Sequence, residues 1–130
     1  MTCFWSGILS SLNNEDFNYI NEPSKPNIKH FIEILKRNNI ATKNILWQNT
    51  KLSPKQLEEN KEHIRDFNIE NINSGYLCSV CDPFLLLIAD IFKVNIEHSY
   101  NNVKIHYTHE GEYRKKLLKF SSDTGHFWKA

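Results

Sequence analysis

Asp82-Pro83-Phe84-Leu85-Leu86-Leu87-Ile88-Ala89-Asp90-Ile91-Phe92, followed by Asn95-Ile96-Glu97-His98-Ser99-Tyr100 and Val103-Lys104-Ile105-His106-Tyr107-Thr108, is the stretch that decides the fold. Asp82 is a good N-cap and Pro83 suits the first helical position, because its missing N–H has no partner there in any case. Phe84 to Phe92 is apolar nearly all round, and such a helix is buried against other structure. The period then changes. Ile96, His98 and Tyr100 alternate with Asn95, Glu97 and Ser99; Val103, Ile105 and Tyr107 alternate with Lys104, His106 and Thr108. Two alternating runs around Asn101-Asn102 predict a β-hairpin, since Asn tolerates the positive φ of a two-residue turn.

Upstream of this stretch the pattern is helical. Ile8, Leu9 and Leu12 predict a short helix from Trp5 to Leu12, starting just after Cys3 and closed by Asn13-Asn14. Glu22 to Asn27 contains Pro23 and Pro26 and reads as a loop. Ile28, Phe31, Ile32 and Leu35 share one helix face, which ends at Asn38-Asn39. Ile45-Leu46-Trp47 is a short apolar run of either type. Ser53, Pro54 and Gln56 form a capping box with proline at the first position, opening a helix that buries Leu57 and Ile64. Asn73-Ser74-Gly75 reads as a turn. Downstream, Leu117, Leu118 and Phe120 suggest a strand, Ser121 to Gly125 a loop, and His126-Phe127-Trp128 a last short strand. Helices first and sheet last predict an α+β fold, a small antiparallel sheet flanked by helices.

The chain has 130 residues, the usual size of one domain, so residues 1–130 are expected to form a single unit. Sixteen basic residues against 15 acidic ones give a net charge of +1, which offers no global field for nucleic acid. No stretch is long and apolar enough to span a membrane, and residues 1–12 lack the basic start of a signal peptide. Three cysteines form no disulfide framework, which points to a reducing, cytoplasmic setting. The excess of Asn, Ile and Lys over Gly and Ala is the bias of an AT-rich genome, as in a protist or a large DNA virus.

A cysteine nucleophile needs a thiolate, a base within reach and N–H groups at the oxyanion. Cys3 stands where the first helix begins, and the positive end of a helix favours the thiolate. His126 follows Gly125 in a loop and is the candidate base, if the last strand runs beside the first helix.

Cys3-Phe4-Trp5-Ser6-Gly7-Ile8 resembles the nucleophile segment of the ovarian-tumour (OTU) family of deubiquitinases, in which the cysteine precedes an apolar residue, an aromatic, a small residue and an aliphatic one. The helix Asp82 to Phe92 looks like the family's core helix. The hairpin Val94 to Tyr107, and Leu118-Lys119-Phe120 with His126-Phe127 after a loop, are similar to its later strands. The resemblance implies a papain-like fold and an isopeptidase that removes ubiquitin or a ubiquitin-like modifier, in the host cytoplasm for a viral member, with no cofactor. It assigns Cys3 as nucleophile, His126 as base, and the backbone N–H groups of Thr2 and Cys3 as oxyanion donors. Trp5, Gly125 and Trp128 would line a narrow channel for a Gly-Gly tail. Two positions depart from the pattern. Met1-Thr2 stands where the family has Asp-Gly-Asn, and Trp128 stands where many members orient the base, so Asp123 is the candidate orienting group. These departures favour a second reading: the same fold as a weakly active or inactive ubiquitin-binding module.

Cys78-Ser79-Val80-Cys81 has the spacing of half a zinc site, with His98, His106 and His109 as further ligands, and a small zinc-stabilised domain is a third reading. No second paired motif accompanies it. Two small residues before a buried helix is the preferred reading, with no metal. His106 and His109 would face opposite sides of their strand and are expected at the surface.

Overall fold

The structure is a computed structural model that describes residues 3–74, 76–123 and 126–130. The chain order is α1 (Cys3–Ser11), α2 (Asn14–Tyr19), α3 (Ile28–Arg37), β1 (Ile45–Trp47), β2 (Thr50–Lys51), α4 (Pro54–Asp66), a 3₁₀ turn (Ile69–Ser74), α5 (Pro83–Phe92), β3 (Asn95–Tyr100), β4 (Val103–His109), β5 (Leu117–Ser122) and β6 (Phe127–Lys129).

The strands make one six-stranded sheet in the order β2-β1-β4-β3-β5-β6. The expected hairpin is present: Tyr100 pairs with Val103, and Asn101 and Asn102 take φ of 48° and 69°, the left-handed values of its two-residue turn. The sheet is mixed rather than wholly antiparallel, because β5 lies parallel to β3, with Asn95 opposite Leu117 and Tyr100 opposite Ser122. After β4 the chain cannot pair on that strand's outer side, which β1 already occupies, so it crosses to the open side of β3. Helices do not all come first either, since the β1–β2 hairpin falls between α3 and α4.

One face of the sheet is buried and the other is wet. Ile96, His98, Ile105, Tyr107, Leu118, Phe120, Ser122 and Phe127 point inward, at the period of two that a half-buried sheet requires. The helix α5 lies on that face with every residue from Pro83 to Asp90 buried. Asp82 holds its start by accepting from the Phe84 and Leu85 N–H groups at 2.9 and 3.3 Å. Truncating Leu86 in this helix would cost about 2–5 kcal/mol, the usual range for a core leucine.

The helix α2 was not expected. Asn13 ends α1 and also caps α2: its side chain accepts from the Asp16 N–H while the Asp16 carboxylate accepts from the Asn13 N–H. Asp16 is then clasped by Arg114 Nη2 at 3.0 Å and Lys116 Nζ at 2.6 Å, which ties the helical layer to the start of β5.

Candidate functional site

Glycine at position 7 sets the approach of α1 to β6. A Cβ there would lie 2.9 Å from Phe127 Cδ1 and 3.6 Å from the Trp128 Cα, so only a hydrogen fits without a shift. Phe4 packs on Phe127 with ring centroids 4.8 Å apart. Ser10 to Asn13, at the far end of α1, line a groove with Lys129 and Ala130. The strand therefore runs alongside the helix in the same direction. Cys3 precedes Phe4 and His126 precedes Phe127, so both lie at the same end of this helix–strand pair.

Cys3 is half-buried at the N-terminal end of α1. His126 projects outward, its side chain 64% exposed. Asp123 partners it at three points. Its Oδ1 accepts from the His126 N–H at 2.9 Å, its own N–H donates to the His126 carbonyl at 2.9 Å, and Oδ1 stands 3.4 Å from Nδ1. With the Nδ1 proton facing that carboxylate, Nε2 carries the lone pair that a thiol proton needs. Among the described residues no hydrogen bond joins Cys3 to His126. Thr2 and Gly125 lie outside the described residues.

The tryptophans divide. Trp128 is on the outer face of β6 and 46% exposed, at the lip of this corner. Trp5 is 0% exposed and packed among Phe4, Phe31, Phe67, Tyr76 and Phe84. That corrects the expectation of a channel residue: Trp5 follows the helical period onto the core face and has no surface to offer a substrate.

The segment from Tyr76 to Asp82 closes the third side of the corner, with the Tyr76 ring 4.5 Å from Phe4. Asp82 organises it. Oδ2 accepts from the Tyr76 hydroxyl at 2.8 Å and the Ser79 N–H at 3.0 Å, while the Tyr107 hydroxyl accepts from the Asp82 N–H and donates to the Val80 carbonyl. Burial pushes the Asp82 carboxyl upward, and its four donors act against that shift.

This segment carries an arrangement that spacing did not reveal. Cys78 Sγ stands 4.0 Å from His98 Nδ1, and His98 Nε2 stands 2.6 Å from Ser122 Oγ. Thiol, imidazole and hydroxyl fall in line, which resembles a nucleophile, base and orienter. Their surroundings argue against that work. Burial pushes the Cys78 thiol well up and Cys81 to about 11, and drops His98 to about 4, so thiol and imidazole are both neutral at pH 7. His98 meets Ser122, 24 residues on, through the β3–β5 pairing, and Cys78 reaches His98 from the loop before α5; no local pattern announces either approach. Among the described residues no three His, Cys, Asp or Glu side chains gather to hold a metal ion. His106 is exposed on the outer face of the sheet. His109, expected at the surface, is half-buried and within 2.6 Å of the Ala89 carbonyl. Among the described residues no helix is long and apolar enough to cross a membrane.

Comparison with family models, with curated proteins and with solved structures returned no match.

Proposed function

We propose that this chain is a thiol-dependent isopeptidase of the OTU type, acting on ubiquitin or a ubiquitin-like modifier in the cytoplasm. The observation that carries the reading is the Phe4–Phe127 contact, which puts the residue before each ring, Cys3 and His126, at one end of α1 and β6. All three thiols are half-buried, but Cys3 alone stands at the positive end of a helix, while burial holds Cys78 and Cys81 protonated. In the reaction Cys3 Sγ bonds to the carbonyl carbon and its proton passes to His126 Nε2. That proton then goes to the departing lysine amine as the C–N bond breaks. Water, deprotonated by the same imidazole, cleaves the thioester. On this reading the backbone N–H groups of Thr2, which lies outside the described residues, and Cys3 would hold the oxyanion, and Asp123 keeps the Nδ1 proton in place. No cofactor enters these steps. The test is turnover of ubiquitin carrying a fluorogenic C-terminal amide: wild-type protein releases the fluorophore and Cys3→Ala does not. Turnover that persists in Cys3→Ala rules the assignment out.

A second reading has its own observation. His126 is exposed and makes no hydrogen bond to Cys3, so the same fold could bind the modifier without cleaving it. Saturable ubiquitin binding by a chain with no turnover would select this reading.

A further inference from the structure

We infer that His98, through Ser122, is a positioning residue for the exposed Asp123–His126 pair: it fixes the strand ends that carry the pair. Its effect on turnover rests on the Cys3–His126 reading; its effect on the pair rests on geometry alone.

The pair has little packing of its own. The side chains of His126 and Asp123 are 64% and 52% exposed, and contacts between the two residues join them. Such a unit takes its place from the backbone on either side, which is Ser122 at the end of β5 and Phe127 at the start of β6. Those two residues face each other in the β5–β6 register. His98 reaches both. Its Nε2 stands 2.6 Å from Ser122 Oγ, and its ring is 5.6 Å from the Phe127 ring.

The strand register gives this contact a direction. His98 lies opposite Phe120 while Ser122 lies opposite Tyr100, so the imidazole leans along β5 to meet the hydroxyl at the strand's last residue. The Ser122 carbonyl is held as well, accepting from the Asn101 N–H at 3.0 Å. His98 and Ser122 are both buried, so neither has bulk water as a substitute partner. Two apolar residues of the same shape would serve stability about as well. The hydrogen bond supplies orientation instead, because it holds the end of β5 at a fixed distance and angle from β3.

The test combines ring ¹⁵N NMR of His126, at about pH 8 where the imidazole is neutral, with turnover of ubiquitin carrying a fluorogenic C-terminal amide. In the wild-type chain the His126 proton is expected on Nδ1, facing Asp123. His98→Leu and Ser122→Ala each break the contact and should move part of that proton population to Nε2. In both, kcat should fall about tenfold with KM changed by less than about twofold, since a misplaced base slows the chemistry and leaves binding alone. His98→Gln returns a hydrogen-bonding group to Ser122 and should restore the wild-type tautomer. Asp16→Asn destabilises the chain from another part of the fold and should leave the tautomer unchanged. If His98→Leu does not fold, the smaller change Ser122→Ala carries the test. The assignment is overturned by a wild-type proton on Nε2, by an unchanged tautomer in the folded His98→Leu or Ser122→Ala chain, by no recovery in His98→Gln, or by an equal shift in Asp16→Asn. A shifted tautomer with unchanged kcat supports the positioning and removes the pair from catalysis. A wild-type chain without turnover overturns the enzymatic reading instead, and the tautomer then decides the assignment by itself.

Discussion

Phe127 packs on Phe4 with ring centroids 4.8 Å apart, and each ring follows directly on a residue of the candidate dyad. Two aromatic side chains thus decide which ends of α1 and β6 come together. His98 supports the same contact from beneath, its ring 5.6 Å from Phe127.

Gly7 is the narrow point of this packing. Gly7→Ala places a methyl group 2.9 Å from the Phe127 ring, which is held between Phe4, His98 and Phe120. Overpacking of this kind costs about 1–3 kcal/mol. Urea unfolding should show that loss, and release of the ubiquitin fluorophore should slow as β6 moves off α1.

Asp123 separates stability from activity. Its side chain and that of His126 are both more than half exposed, so Asp123→Ala should change stability by no more than about 0.5 kcal/mol. Turnover should still fall, by up to about 10²-fold, because the Nδ1 proton loses its partner and the imidazole its orientation. Unchanged kcat/KM in a folded variant would remove Asp123 from the mechanism.

Asp16 governs stability at acid pH. Burial opposes its ionisation, but Lys116, the Asn13 N–H and Arg114 hold its carboxyl below the usual value. A folded-state value below the unfolded one gives stability that is present above about pH 4 and lost as the carboxylate protonates. Asp16→Asn should lower stability at pH 7 by about 1–3 kcal/mol and flatten the loss below pH 4, as seen in urea midpoints taken across that range.

His98 acts in the window above. Burial lowers its pKa to about 4 from an ordinary value near 6.5, so between those values the unfolded chain binds the extra proton. Stability is complete above pH 6.5 and declines as pH falls toward 4. In His98→Gln, which keeps a hydrogen-bonding group near Ser122, the unfolding midpoint should no longer fall across that window. An unchanged slope would assign the loss to other groups.

Legibility in the sequence followed the range of the interactions. Asp82-Pro83 and the Asn101-Asn102 turn are local devices, and the helix and hairpin they open are where the pattern puts them. Asn13 was ambiguous, since the same side chain can end one helix and cap the next; its capping box with Asp16 was the signal for α2. The β1–β2 hairpin turns through Gln48 and Asn49 at φ of 52° and 62°, and glutamine is not a residue that advertises such a turn. The parallel pairing of β5 with β3 has no local signature at all. At the corner, a cysteine opening a helix and a histidine before a strand were readable, but the burial of Trp5 and the Cys78–His98–Ser122 line depend on which elements pack together.

The most direct test is covalent capture. The chain is incubated with ubiquitin bearing a C-terminal electrophile, and the adduct is located by peptide mass analysis. A single adduct on Cys3, absent in Cys3→Ala and slowed in His126→Ala, is the predicted result. An adduct on Cys78 or Cys81, or none from a folded chain, would contradict the account.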